Sequence, residues 1–172
     1  MQPKIFILDV DGVMTDGRFY YSSEGKVMKS FGADDSDALG LLKKHLEIRF
    51  ITGDKKGFPI SKRRIVDDMG YQLDQVSTIN RLEWLEGVAP LNNIIFMGDG
   101  IFDHYALKKV GYAIVPSNGD NNAKSVANYV TERSGGNRAV AEACLHILKQ
   151  FFAEYDITKN LNANDVSGEW TV

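Results

Sequence analysis

Cysteine is nearly absent from this chain of 172 residues, which has Cys144 alone and therefore no internal disulfide framework. Long apolar runs are also absent. None approaches the roughly 18 residues of a membrane-spanning helix, and the run after Met1–Lys4 is too short for a signal peptide. Basic residues are not in excess, with 20 Lys and Arg against 23 Asp and Glu. We therefore expect a cytoplasmic protein with neither a nucleic acid nor a membrane as partner.

The single cysteine and the three histidines do not form a recognisable site. Cys144 lies in residues 139–152, where apolar residues recur at helical spacing, so we expect a buried thiol there rather than a nucleophile. His45, His104 and His146 are scattered without metal-ligand spacing, and we interpret them as ordinary helix residues. The chemistry of this chain therefore has to come from other residue types.

The composition is that of an ordinary globular domain, with 44% hydrophobic and 25% charged residues. Short apolar runs rich in Ile, Phe and Val predict strands buried on both faces of a parallel sheet, at residues 4–9, 48–52, 93–98 and 112–115. The segments between them predict helices at residues 37–46, 59–69 and 79–88. This alternation predicts an α/β fold with a doubly wound, mostly parallel sheet.

Two segments depart from the alternation. Residues 17–31 have aromatic and β-branched residues on both sides of a Ser-Ser-Glu-Gly stretch, which predicts a β-hairpin that projects after the first strand. Residues 154–172 are polar and predict a C-terminal tail. We therefore expect one domain over residues 1–153, with the hairpin as a flap and the tail outside it.

Acidic and hydroxyl side chains stand where the predicted strands end. Asp9 and Asp11 come at the end of the first strand, Thr52 ends the second, and Asp99 follows the third, with Asp103 one helical turn further on. Because sites in open parallel sheets form outside the carboxyl ends of the strands, we expect these side chains to meet. Clustered carboxylates need a compensating cation, and Mg²⁺ prefers such oxygen ligands. The set predicts phosphoryl transfer, in which one acid attacks phosphorus and another protonates the leaving oxygen.

Other classes of protein also cluster acids in this way. A calcium-binding loop that starts at Asp9 needs Gly at its sixth position, where Met14 stands, so that interpretation fails. A signalling receiver domain shares the fold, Mg²⁺ and an aspartyl-phosphate, but its phosphoacceptor ends a middle strand. Thr52 stands at the corresponding place here, and the receiver domain therefore remains only an alternative function.

Three stretches resemble motifs one, two and four of the haloacid dehalogenase (HAD) phosphatase superfamily in sequence, order and spacing: DVDGV at 9–13, ITG at 51–53 and GDGIFD at 98–103. The string LDVDGVMTDGRFYY, the hairpin, and SGGNRAVAEACLHIL at 134–148 resemble the branch of 3-deoxy-D-manno-octulosonate 8-phosphate (KDO 8-phosphate) phosphatases and relatives that act on nonulosonate 9-phosphates. The resemblance implies an HAD-like fold and a phosphatase that acts on a sugar-acid phosphate. Core elements fill the intervals between the motifs, so we expect no cap domain.

The resemblance implies a role for each matching residue. Asp9 would be the nucleophile that forms an aspartyl-phosphate, and its carboxylate would bind Mg²⁺. Asp11 would be the general acid and base, with its backbone carbonyl on the metal. Asp99 would be the third protein ligand of the metal, supported by Asp103. The residues implied in phosphate binding are Thr52 and Gly53.

Motif three departs from the family pattern. The family usually has a lysine at the start of the helix after the third strand, and Arg81 stands at the matching place in STINRLEWL at 77–85. Arginine can neutralise phosphate and Asp9 with a wider, always charged fork. We therefore predict that Arg81 has the catalytic role, with Lys55 or Lys62 as the alternative. Because Arg81 replaces the usual lysine, one further alternative remains: the chain could be a catalytically silent partner of a sugar-nucleotide synthesis enzyme.

Residues beside the motifs are candidate contacts to the sugar. Asp54 and Lys55 follow Thr-Gly directly. Octulosonate enzymes tend to have a basic residue at the position of Asp54, whereas some nonulosonate relatives have an acidic one. The acidic side chain here therefore favours a nine-carbon substrate. Arg138 is a candidate for binding the substrate carboxylate at the site of a neighbouring subunit, and the alternative is that it only solvates the N-terminus of its own helix. Asp34 and Asp35 precede the first predicted helix, where N-capping is favoured over a contact to sugar hydroxyls.

In this branch the hairpin packs against neighbouring subunits of a tetramer. The resemblance therefore implies a homotetramer whose hairpins substitute for a lid. The apolar residues Phe19, Tyr20, Tyr21 and Phe31 suit such an interface. The alternative is a hairpin that covers the core of its own subunit.

Overall fold

The computed structural model describes residues 2–159, so the predicted tail at 154–172 lies outside the described residues from position 160 onwards. The strands in this range are β1 Ile5–Asp9, β2 Tyr20–Ser22, β3 Gly25–Met28, β4 Glu47–Thr52, β5 Gln72–Gln75, β6 Ile94–Met97, β7 Tyr112–Val115 and β8 Tyr129–Val130. The α-helices are α1 Asp34–Leu42, α2 Phe58–Lys62, α3 Arg81–Val88, α4 His104–Leu107, α5 Asn121–Ser125 and α6 Ala139–Phe151. Turns of π or 3₁₀ type lie at Val10–Met14, Arg63–Asp68, Thr78–Asn80 and Leu91–Asn93.

Six parallel strands form the main sheet, in the order β5-β4-β1-β6-β7-β8. β1 lies inside the sheet because it pairs in parallel with β4 on one side and with β6 on the other. The chain first builds outwards to β5 and then returns to β6, so the topological switch point lies at β1. The structure confirms the predicted doubly wound α/β fold and identifies the end of β1 as the expected place of a ligand.

Alternate residues of β1 pack into two separate hydrophobic cores. Phe6 and Leu8 belong to the core that includes α1 and α6, whereas Ile5 and Ile7 belong to the core that includes α3, α4 and α5. Both faces of the strand are covered by helices, which is why its sequence is a continuous apolar run. Cys144 is fully buried in the first core, and burial raises the pKa of its thiol. It is a core residue, as predicted.

The sequence prediction missed two strands and misplaced several helix ends. The missed strands, β5 and β8, form the two edges of the sheet. α1 begins and ends earlier than the predicted 37–46, so His45 follows the helix instead of lying in it. The helix predicted at 59–69 is α2 followed by a wider π-helical segment, and the one at 79–88 is a 3₁₀ turn followed by α3.

The predicted hairpin at 17–31 is present as β2 and β3, joined by the two residues Ser23 and Glu24. A bridge between Thr15 and Phe31 closes its base. Residues 2–159 contain no cap domain beyond this hairpin, in agreement with the predicted fold class. In the same part of the chain no helix has the length and the apolar character needed to cross a membrane.

Candidate active site

The site begins where β1 ends at Asp9. Asp9 Oδ1 accepts a hydrogen bond from the Val10 N–H at 2.8 Å and so begins the tight helical turn Val10–Met14. Gly12 interrupts this turn with a φ of 89°, in the left-handed region that favours glycine. A Cβ at Gly12 would lie 1.9 Å from Asp99 Oδ2. Glycine at this position therefore allows the carboxylate after β6 to reach the end of β1.

Three carboxylates converge at this edge of the sheet. One oxygen from each of Asp9, Asp99 and Asp103 lies within 4.8 Å of the others. Burial, with a further contribution from the neighbouring carboxylates, raises the pKa of Asp9 to about 7 and that of Asp99 to about 8. Carboxylates this close need a compensating cation to ionise together. Their hard oxygen atoms are the ligands that Mg²⁺ prefers, so the donor set fits the predicted metal.

Arg81, the first residue of α3, neutralises two of these acids. Its Nη2 lies 2.7 Å from Asp9 Oδ2, and its Nη1 pairs with Asp103. Although burial opposes the charge, the two carboxylates raise the pKa of the guanidinium above its usual value. Asp103 also accepts a hydrogen bond from the Gly100 N–H at 2.8 Å. Because α4 begins only after Asp103, that residue belongs to a turn and does not continue a helix from Asp99.

The two alternative cations of motif three lie elsewhere. Lys62, at the end of α2, pairs with Asp67 on the surface at 3.3 Å. Lys55 is exposed in the loop after β4. Of the three cations considered from the sequence, Arg81 is the one that the structure brings into contact with Asp9.

The Asp11 side chain is held at the end of β4. Its Oδ2 accepts a hydrogen bond from Thr52 Oγ1 at 2.8 Å, and its Oδ1 lies 2.7 Å from Lys29 Nζ. Thr52 is fully buried, and its Oγ1 also accepts a hydrogen bond from the Asp54 N–H at 3.0 Å. Gly53 packs closely on the turn after β5, where an added Cβ would come within 3.3 Å of a side chain. The segment that follows β4 therefore fixes the Asp11 carboxylate.

Two lysines of the hairpin reach this site, and the sequence analysis missed both. Lys29 Nζ lies 2.9 Å from Asp54 Oδ2 and donates a hydrogen bond to Ser61 Oγ at 2.8 Å. Lys26 also pairs with Asp54, and its Nζ lies 3.3 Å from the centre of the Phe19 ring. Burial opposes the charged form of Asp54, but hydrogen bonds from both lysines and a backbone N–H lower its pKa to about 2. The sequence did contain one indication of these contacts, because the two lysines stand inside a hairpin that is otherwise rich in apolar residues.

The N-capping prediction for Asp34 and Asp35 is wrong. α1 begins at Asp34 without a side-chain cap. Asp35 instead accepts a hydrogen bond from the Ala141 N–H at 2.9 Å, so its carboxylate caps α6. Arg138, just before α6, has a φ of 69°, and its Nε lies 2.6 Å from Asp34 Oδ2. The candidate for the substrate carboxylate is therefore paired within its own chain.

Fold and site together define a class of protein. Acids that fit a metal ion lie at the switch point of a doubly wound sheet. The buried Arg81 contacts one of the acids at this site, and the buried Thr52 contacts another. This combination of a metal site, a cation and a hydroxyl group suits phosphoryl transfer. Residues 22–143 match the family model of haloacid dehalogenase-like hydrolases. The chain belongs to this family, which confirms the superfamily predicted from the motifs.

Relatives and solved structures extend the likeness over most of the chain. The 3-deoxy-D-manno-octulosonate 8-phosphate phosphatase KdsC of Escherichia coli (strain K12) is 31% identical over 152 residues, which are 82% of this chain and 77% of that protein. The same phosphatase from Moraxella catarrhalis, in complex with a magnesium ion, a phosphate ion and KDO, has a TM-score of 0.76 at 31% identity over 86% of each chain. The phosphatase from Yersinia pestis has a TM-score of 0.75 at 26% identity, over 87% of this chain and 82% of its own. The predicted branch is thus confirmed as the group that this chain resembles.

Proposed function

We propose that this chain is a Mg²⁺-dependent phosphatase that hydrolyses the terminal phosphate monoester of a 3-deoxy-2-ulosonic acid. The observation that carries the proposal is the setting of Asp9, which is buried at the switch point between the cation of Arg81 and the carboxylate of Asp99. This setting suits a nucleophile that has to be charged beside a phosphate. The similarity to KDO 8-phosphate phosphatases supplies the class of substrate.

In the first step Asp9 attacks the phosphorus atom, an aspartyl-phosphate forms, and the bond from phosphorus to the sugar oxygen breaks. Arg81 holds Asp9 in place through Nη2. The Nε–H of Arg81 is buried without a hydrogen-bond partner among residues 2–159. We assign this donor to a phosphoryl oxygen, where it stabilises the charge of the transition state.

Asp11 acts as the general acid and then as the general base. It gives its proton to the leaving sugar oxygen and later takes a proton from the water that attacks the aspartyl-phosphate, so that phosphate leaves and Asp9 is restored. The hydrogen bond from Thr52 holds its carboxylate. Thr52 and the Gly53 amide are also our candidates for holding the phosphoryl oxygens.

The metal site is assigned to Asp9 and Asp99, with the backbone carbonyl of Asp11. Asp103 supports these ligands through its contacts with Arg81 and the Gly100 N–H. When bound, Mg²⁺ neutralises negative charge on the phosphoryl group. The raised pKa values of Asp9 and Asp99 indicate that this edge of the sheet is built for a cation.

KDO 8-phosphate is the first candidate substrate, because the similar proteins named above are KDO 8-phosphate phosphatases. A nonulosonate 9-phosphate is the second, favoured by the acidic Asp54 directly after Thr-Gly. We propose Asp54, Lys55 and Arg138 as the residues that contact the sugar. Since Asp54 and Arg138 already have partners in their own chain, any such contact is added to an existing ion pair.

We also propose that the protein is a cytoplasmic homotetramer, with one domain over residues 1–153 and a C-terminal tail over 154–172. The exposed apolar side chains of the hairpin at 17–31 support the assembly, since Tyr21, Val27 and Met28 are 63%, 56% and 53% exposed. The single cysteine suits a reducing compartment.

Phosphate release from a panel of eight- and nine-carbon ulosonate phosphates, with Mg²⁺ and with a chelator, tests the proposed function. We expect turnover on one member of the panel, and we expect the chelator or the substitution Asp9→Asn to abolish it. Activity that survives either treatment contradicts the mechanism. Failure of the wild type to turn over any member favours the silent partner, and a stable phosphoprotein without turnover favours the receiver domain.

A further inference from the structure

Lys29, which follows β3 at the exit of the hairpin, is a buried cation that the mechanism above does not yet use. Its side chain is 0% exposed, although a charged lysine is almost never fully buried unless it is paired. We propose that Lys29 is a positioning residue that holds the Asp11 carboxylate in the orientation required for proton transfer. This inference rests on the proposed function, because it takes Asp11 as the general acid and base.

Two carboxylates and one hydroxyl group surround the ammonium group of Lys29. Nζ lies 2.7 Å from Asp11 Oδ1 and 2.9 Å from Asp54 Oδ2, and it donates to Ser61 Oγ at 2.8 Å. Ser61 is fully buried on α2, and Asp54 follows β4. Two of the three partners therefore belong to the body of the domain, and they fix Nζ independently of any substrate.

This fixed ammonium group determines the rotation of the Asp11 carboxylate. Lys29 contacts Oδ1, and Thr52 donates to Oδ2 at 2.8 Å, so each oxygen has its own partner. Without Lys29 the carboxylate keeps the Thr52 hydrogen bond alone and can turn about it. An error of about 1 Å in the position of a reacting group can cost roughly 100-fold in rate. The hairpin thus contributes to the active site of its own subunit.

Lys26 offers a matched control in the same hairpin. It also ties the hairpin to Asp54, and its side chain is 4% exposed, but among residues 2–159 its ion pair is with Asp54 and not with Asp11. Substitution of Lys26 weakens the attachment of the hairpin without removing a contact to Asp11. The two lysines therefore separate the positioning of Asp11 from the attachment of the hairpin.

The test compares kcat/KM for an alkyl phosphate, the sugar-acid substrate, with kcat/KM for p-nitrophenyl phosphate. The sugar alkoxide needs a proton as it leaves, whereas nitrophenolate leaves without one, so only the first reaction depends on a well-placed acid. For Lys29→Met we expect kcat/KM to fall by about 100-fold with the sugar phosphate and by less than about 10-fold with the aryl phosphate. Lys26→Met also removes a cation from Asp54, a proposed sugar contact, but not from Asp11, so we expect its loss with the sugar phosphate to be much smaller than that of Lys29→Met. Equal losses with both substrates in Lys29→Met, or a loss with the sugar phosphate in Lys26→Met as large as that in Lys29→Met, overturn the proposal.

Two further measurements cover other outcomes. If Lys29→Met does not fold, Ser61→Ala removes one anchor of Lys29 and leaves both of its carboxylate partners in place. A loss confined to the sugar phosphate is again expected, and equal losses with both substrates overturn the inference. If the wild type hydrolyses neither substrate, the proposed function fails. A crystal structure of Lys29→Met then tests the positioning by itself. We expect the Asp11 carboxylate to turn about its Thr52 hydrogen bond, so that Oδ1 leaves the place that it has beside Lys29 Nζ. An unchanged carboxylate overturns the inference.

Discussion

Arg81 binds two carboxylates from different segments of the chain, one at the end of β1 and one in the turn between β6 and α4. Its guanidinium binds Asp9 through Nη2 and Asp103 through Nη1. A lysine at the same place is a compact point charge on a flexible chain and lacks this fork. The arginine therefore explains how Asp103, which follows β6, helps to hold a residue at the end of β1.

We predict that Arg81→Ala lowers kcat by about 100- to 1,000-fold, the usual loss when one donor to a transition-state anion is removed. It should also destabilise the fold, because it leaves two buried carboxylates without their cation. Arg81→Lys should recover part of the rate by restoring the charge near Asp9. Steady-state kinetics and urea unfolding test this, with Lys62→Ala, a surface change, as the control. Full activity in Arg81→Ala contradicts the assignment.

The carboxyl groups of Asp9 and Asp99 connect stability with pH. Burial and neighbouring carboxylates raise their pKa values from 3.8 to about 7 and about 8. Between about pH 4 and these values the folded chain therefore holds protons that the unfolded chain has released. The contribution of these two groups to stability is therefore fully present below about pH 4 and is lost as the pH rises through that window.

We predict that the chelated protein loses free energy of unfolding between pH 6 and pH 8, by at most about 1.4 kcal/mol per pH unit for each proton retained by the fold. Added Mg²⁺ should oppose this loss most strongly at pH 8, where the carboxylates are charged. Urea midpoints at pH 6, 7 and 8 measure both effects. Asp99→Asn is the control, because it removes one titrating group and should flatten the profile. A chelated wild type that gains stability towards pH 8 contradicts the prediction.

At the scale of residues, the ends of the predicted strands indicated which acids meet, but they did not indicate which other side chains contact those acids. Asp9 and Asp99 follow apolar runs, so their convergence follows from the topology of a parallel sheet. Lys29 could not be placed in this way, because its partners lie far away in the sequence and meet it only when the hairpin folds back. Asp35 misled the prediction for a similar reason: its position at the start of one helix hides a contact with the N-terminus of another.

At the scale of elements, the strands of the main sheet that were predicted are the ones that lie inside it, with helices over both faces. β1, β4, β6 and β7 read as apolar runs for this reason. β5 has the sequence QLDQ, with one buried apolar residue, and β8 has two residues. Edge strands have fewer neighbours and need less apolar surface, so hydrophobic periodicity alone could not find them.

The turn before α6 supports the loop that follows β1. A Cβ at Gly135 would lie 1.9 Å from the carbonyl oxygen of Gly12. The Gly136 N–H donates a hydrogen bond to the Val13 carbonyl at 3.1 Å. The loop that delivers Asp11 therefore rests directly on this pair of glycines.

We predict that Gly135→Ala lowers kcat by at least about 10-fold, because the added methyl group displaces the loop and misplaces Asp11. Gly87→Ala is the matched control: Gly87 lies in α3 with open space around it. That change should leave kcat unchanged and stabilise the fold by about 0.5–1 kcal/mol, since alanine favours the helix. Kinetics and urea unfolding distinguish the two variants. A fully active Gly135→Ala contradicts the supporting role of the turn.

At the scale of the whole molecule, the hairpin combines buried ion pairs with exposed apolar side chains. Lys26 and Lys29 pair with Asp54 and Asp11. Tyr21, Val27 and Met28 are more than half exposed. We assign these exposed apolar side chains to the proposed contact with other subunits.

We predict that the wild type has four times the chain mass of 19.2 kDa in light scattering. Val27→Glu places a charge at an exposed apolar position of the hairpin and should dissociate this assembly, because an unpaired charge is costly to bury at an interface. Ile157→Glu, at a side chain 86% exposed and outside the hairpin, is the control that should remain tetrameric. A monomeric wild type, or a tetrameric Val27→Glu, contradicts the proposed interface. If Val27→Glu dissociates and keeps the contacts of Lys26 and Lys29, its activity will show whether one subunit alone can carry out the reaction.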